Sequence, residues 1–272
     1  MSVLSDTARQ AAQAERRAGP VIAIASGKGG VGKTALSLAL ASAFSRRKAR
    51  TLVVDADLGM ANVDVQLGLD PTADLGSVVA GRLTLSEAIS PVAGGADRAG
   101  GFDVIAGPSG SGALAGLDIT AVGRLAAGVS AASLSYDRTL IDLAAGAERA
   151  TIRLAAAADD VVIVINDEPT SLTDAYAFVK TLRIRDEGAC PFVVVNNAPD
   201  KPSALRAYKT FARTCESFLG FTPPLAGCVR RDGAIPDAIR AQAPLFVRHP
   251  DGDAVKDLAA LARVLEQGVD AR

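Results

Sequence analysis

The 272-residue sequence contains no tryptophan, one histidine and only 4% aromatic residues. Its core must therefore be built from Ala, Val, Leu and Ile. The three cysteines, Cys190, Cys215 and Cys228, are far apart and form no C-x-x-C pair. That argues against a cysteine zinc cage and against a disulfide framework, and suits reduced core thiols in a cytosolic protein. His249 precedes Pro250 and has no evident nucleophile to serve, so it reads as a surface residue. No apolar run is long enough for a charge-free membrane span. The N-terminal stretch is polar and carries Arg9, Arg16 and Arg17 where a signal peptide would be apolar. A formal net charge of −1 gives no global electrostatic case for nucleic acid or a membrane surface. The length suits one large α/β domain.

What is present begins at residue 21. Val21-Ile22-Ala23-Ile24-Ala25 is an apolar strand, and Ala35 to Ala41 has a helical pattern. Between them lies Ser26-Gly27-Lys28-Gly29-Gly30-Val31-Gly32-Lys33-Thr34. Gly27, four residues, then Gly32-Lys33-Thr34 fits G-x-x-x-x-G-K-[ST] in the strand–loop–helix context that a phosphate-binding loop requires. Such a loop turns backbone N–H groups onto an anion at a helix N-terminus. Lys33 can reach the β- and γ-phosphates, and the Thr34 hydroxyl can ligate Mg²⁺.

Further strands end in polar residues. Thr51 to Asp55 leads into Asp55-Ala56-Asp57, and Tyr136 to Asp142 leads into Leu143-Ala144-Ala145-Gly146. Carboxylates at the ends of parallel strands lie beside the nucleotide crevice. Asp142 has the position of a Walker B carboxylate, and Asp55 reads as part of the same metal shell. Asp160 to Ile165 is a fully apolar strand, followed by a helix opening at Pro169-Thr170-Ser171. Pro191 to Asn197 is another strand, whose terminal Asn196 can recognise a base through paired donor and acceptor groups. Residues 70–100 are weakly patterned, with a short helix near Thr84–Ile89. Gly107 to Gly112 lacks a lysine and reads as a connection, not a second phosphate loop. The alternation predicts a three-layer α/β/α fold of the P-loop NTPase kind with a mainly parallel sheet.

Lys28 goes beyond the general motif. Lys28-Gly29-Gly30-Val31-Gly32-Lys33-Thr34 resembles the deviant phosphate loop of the MinD/ParA family of ATPases. Asp57 to Leu69 and Glu168 to Tyr176 are similar to the flagellar-number regulators (FlhG, FleN, YlxH) within that family. The resemblance covers about residues 21–248. It implies an ATPase switch using ATP, ADP and Mg²⁺. Lys28 would reach the partner's nucleotide in an ATP-bound homodimer, and Asp57 would position the attacking water. By the same resemblance Asp142 and Gly146 belong to switch II, Glu168 would contact the partner's ribose, and Asn196 would bind adenine. Flagellar assembly or regulatory proteins are the implied partners: an FlhF-like GTPase, a C-ring component or a transcription activator.

Both ends of the chain depart from that family. Asp6-Thr7-Ala8-Arg9-Gln10-Ala11 only loosely matches the family's GTPase-stimulating leader. Family members often end in a basic, bulky membrane-targeting helix. Here residues 251–272 hold five acids against three bases, without Phe or Trp. Packing of this amphipathic helix on the domain is expected over membrane binding. The chain thus divides into a leader (1–19), an ATPase domain (20–250) and a terminal helix (251–272). The rival functions are a ParA-type partitioning ATPase, an iron–sulfur carrier and an ATP-binding module that sequesters a transcription factor.

Overall fold

In this computed structural model the described residues are 19–57, 59–108 and 119–270. The leader up to residue 18 and the Ser109–Gly112 part of the glycine-rich connection lie outside them.

β1 (Val21–Ala25) is apolar throughout and buried on both faces, as a central parallel strand must be. A phosphate-loop turn carries the chain into α1 (Lys33–Arg46). β2 (Thr51–Ala56), α2 (Val63–Leu67) and α3 (Leu75–Val79) follow. After β3 (Ile89–Val92) and β4 (Phe102–Ile105) come α4 (Ile119–Ser133), β5 (Arg138–Leu143) and α5 (Arg149–Ala155). β6 (Asp160–Ile165), α6 (Pro169–Arg185), β7 (Phe192–Ala198), α7 (Lys201–Leu219) and β8 (Leu225–Arg230) complete the sheet. The chain ends with α8 (Ala234–Arg240), α9 (Leu245–Arg248) and α10 (Asp253–Asp270).

The eight strands run in the order β3-β4-β2-β5-β1-β6-β7-β8. Every neighbouring pair is parallel except β3–β4. The antiparallel β3 was not expected from sequence. It is a four-residue edge strand holding Pro91, which cannot donate to a ladder and is tolerated at an edge. The register sets Asp55 of β2 directly beside Asp142 of β5, and Asp142 beside Ile24 of β1. Three strand ends and the phosphate loop therefore open onto one crevice.

Two apolar layers clamp the sheet. Leu75, Val122, Phe178 and Phe211 fill the side of α3 to α7. Leu40, Phe44, Val63 and Leu258 fill the side of α1, α2 and α8 to α10. α10 lays Leu258, Leu261, Ala262 and Leu265 into that second layer, each at most 1% exposed. Its apolar stripe faces α1 and β8. Burying a leucine fully is worth about 1.5–3 kcal/mol, so this helix is held firmly.

Candidate nucleotide-binding site

Two glycines of the loop are fixed by their surroundings. Gly32 has φ of 83°, and a Cβ there would lie 2.6 Å from Asn196 Nδ2. A Cβ on Gly27 would sit 2.1 Å from the Asp174 carbonyl carbon and 2.2 Å from the Ala175 nitrogen in α6. The loop therefore lies flat on α6 and curls at Gly32 into α1. Among the described residues none accepts a hydrogen bond from the amides of Gly29, Gly30, Val31, Lys33 or Thr34. These donors at a helix N-terminus fit an anionic phosphate chain.

Asp142 gathers the motif residues. Its Oδ1 receives Lys33 Nζ at 2.9 Å and Ser37 Oγ at 3.0 Å, and its Oδ2 receives Thr34 Oγ1 at 2.6 Å. Lys33 and Asp142 are both buried. Ser37 escaped sequence reasoning. It lies one turn beyond Lys33, whose carbonyl it also meets, and its target is on a strand 105 residues away.

Asp55 stands beside this cluster. Its Oδ1 accepts the Asp57 amide, and its Oδ2 accepts the Asn62 and Val63 amides. Burial first, and the neighbouring Asp142 second, push its carboxyl up from 3.8 to about 7. Two adjacent carboxylates with a hydroxyl at hand form an oxygen donor set suited to Mg²⁺. The pair also makes stability depend on pH. The folded Asp55 keeps a proton that the unfolded chain releases above pH 3.8. Stability from this group therefore falls as pH rises from about 4 to about 7, at up to about 1.4 kcal/mol per unit. Without added divalent cation, the melting temperature is expected to drop across this window. Asp55→Asn should flatten the profile; an unchanged slope in a pH series of thermal melts would refute the assignment.

Asp57 is half-buried, and its Oδ1 accepts the Gly59 and Met60 amides at 3.2 and 3.0 Å. This turn anchors the loop after β2, while the other carboxylate oxygen stays clear of those two bonds. Gly146, at φ of 91°, donates its amide to the Ser26 carbonyl. The loop after β5 is thereby tied to the base of the phosphate loop.

Lys28 turns along its own chain. Its Nζ meets Glu168 Oε2 and lies 3.2 Å from Thr170 Oγ1. The ammonium holds the Glu168 carboxyl below its usual range. The resemblance gave these residues separate roles and did not foresee their pairing. Nothing local links positions 28 and 168.

An apolar pocket adjoins the loop, lined by Val31, Leu36, Ile235 and Pro236 with polar groups from Asn196, Asn197 and Asp232. Its size, walls and few polar groups suit a planar base. Asn196 is buried and gives its Nδ2 to the Val31 carbonyl at 2.8 Å. Asn197 has φ of 55°, and its Oδ1 accepts from Arg231 Nε. This left-handed turn had no signal in the sequence beyond the Asn-Asn pair itself. Of the Arg230–Asp232 loop, Asp232 borders the pocket, whereas Arg230 turns to Asp253 and Asp257.

Comparison with known proteins gives the same picture. The family model described as the CobQ/CobB/MinD/ParA nucleotide binding domain matches residues 22–245. The antiactivator FleN of Pseudomonas aeruginosa is 34% identical over 249 residues, 90% of this chain and 86% of that protein. The flagellum site-determining protein YlxH of Helicobacter pylori is 33% identical over 159 residues, 58% of this chain and 52% of that one. Among solved structures, the cell division ATPase MinD of Pyrococcus furiosus superposes with a TM-score of 0.74 at 25% identity. That match covers 92% of this chain and 99% of the other.

Proposed function

The chain belongs to the CobQ/CobB/MinD/ParA nucleotide-binding family, and on that premise we propose that it is a Mg²⁺-dependent ATPase switch. We infer further that ATP brings two copies together and that the switch governs flagellar number or placement. The convergence of Lys33, Thr34 and Ser37 on the buried Asp142 carries the nucleotide reading. Likeness to FleN and YlxH over much of the chain supports the flagellar role. The name antiactivator, which belongs to the Pseudomonas protein, favours a transcription activator among the possible partners.

Each residue has a part in this scheme. The loop amides from Gly27 to Thr34 cradle the phosphates, and Lys33 stabilises charge on them. Thr34, Asp142 and Asp55 hold Mg²⁺, which neutralises phosphate charge when bound. Asp57 orients the attacking water from the loop that its own carboxylate pins. Lys28 reaches the partner's nucleotide, Glu168 the partner's ribose, and Asn196 the adenine. Catalysis then rests on positioning and electrostatics, without a covalent intermediate.

Asp57→Ala is expected to lower phosphate release about 100-fold while nucleotide binding persists. Light scattering of that variant with ATP should show a dimer, and adding Lys28→Ala should return a monomer. If wild type releases phosphate no faster than Asp57→Ala, the hydrolytic switch is wrong and a regulatory module with negligible turnover takes its place.

A further inference from the structure

Asp142 is held by the side chains of one helix. Among the described residues its three partners all come from α1: Lys33 and Ser37 on Oδ1, and Thr34 on Oδ2. No described backbone amide donates to it, whereas Asp55 accepts three. The residue is 1% exposed, so bulk water is a poor substitute for any partner that leaves.

Nucleotide lays claim to two of the three. Lys33 Nζ sits on Asp142 at 2.9 Å, and reaching the phosphates draws it from that oxygen. The Thr34 hydroxyl has lone pairs to offer a metal. Ser37 has no such second task. It lies beyond the loop, inside α1, fully buried and turned toward β5. Its hydroxyl has one proton and two acceptors in reach, the Lys33 carbonyl at 3.1 Å and Asp142 Oδ1 at 3.0 Å. The carbonyl is also the acceptor of the regular helical bond from the Ser37 amide. It loses little when the hydroxyl proton turns away.

We propose that Ser37 is a positioning residue: its hydroxyl takes over Asp142 Oδ1 when Lys33 turns to bound nucleotide, and so keeps the carboxylate aimed at the metal site. This rests on the nucleotide-binding reading above. In the free protein Lys33 covers Oδ1 and Ser37 is redundant. In the bound protein Ser37 is the donor left on that oxygen. Loss of a buried hydrogen bond to a charged group corresponds to about 10- to 100-fold in an equilibrium constant.

The test compares wild type with Ser37→Ala and Ser37→Cys, the second of which nearly keeps the volume but offers only a weak donor. Without nucleotide, both variants should melt within about 2 °C of wild type. Titration calorimetry with ADP and Mg²⁺ should then show affinity weakened about tenfold or more in both. A packing role would instead lower the melting temperature of the free protein. Unaltered affinity in both variants, a loss confined to Ser37→Ala, or free proteins destabilised as much as binding would overturn the role. Wild type that fails to bind ADP would remove the nucleotide reading and this inference together; normal wild-type binding with unaltered variants removes the inference alone. A second arm needs no nucleotide. In Lys33→Met, Oδ1 already depends on Ser37, so adding Ser37→Ala should lower the folding equilibrium constant about tenfold or more. The same change should cost little in the wild-type background. Equal cost in both backgrounds would overturn the exchange of donors.

Discussion

Lys33→Met is expected to abolish measurable ATP turnover, with a loss of at least about 1,000-fold, and to destabilise the fold at the same time. The two effects share one cause. Lys33 and Asp142 form a buried pair, with side chains 8% and 1% exposed. Removing one partner of such a pair leaves the other charged in a low-dielectric interior, which costs about 3–5 kcal/mol. Asp142 would keep its bonds from Thr34 and Ser37 but lose its only cationic contact among the described residues. Denaturant melts of both proteins at pH 7 check this. A variant as stable as wild type would refute the reading of Lys33 and Asp142 as a coupled buried pair.

Gly27→Ala is expected to be nearly as damaging, although it adds a single methyl group. The new Cβ would lie 2.1 to 2.4 Å from the backbone of Asp174 and Ala175, and backbone inside a helix cannot step aside as a side chain can. Either the loop lifts or α6 shifts. Overpacking of this kind costs about 1–3 kcal/mol. Displacing the phosphate cradle by about 1 Å costs on the order of 100-fold in turnover. Gly29→Ala supplies the control, since a Cβ there meets nothing within 4 Å. It should melt like wild type. Equal damage at both positions would show that loop flexibility, not contact with α6, is what Gly27 provides.

What could be read in the sequence was local. The phosphate loop, the strand-end carboxylates Asp55 and Asp142, and the parallel sheet announce themselves within a few residues, because strand, turn and helix signals are contiguous. The likeness to flagellar regulators was likewise carried by two short runs, Asp57–Leu69 and Glu168–Tyr176. What escaped depends on distant chain segments meeting. Ser37 is an ordinary helix serine until β5 brings Asp142 to it. Lys28 and Glu168 carry no mark of each other. β3 is too short, and too interrupted by Pro91, for alternation to show.

The Lys28–Glu168 contact bears on how two copies would meet. Both side chains are proposed to act across the dimer, yet within one protomer each already holds the other. Entering the dimer would then be a change of partners: every new intermolecular contact replaces an intramolecular one of similar kind. Such an exchange leaves a small net driving force from these groups. Bound nucleotide, more than the protein surfaces themselves, would set whether the two copies stay together or part.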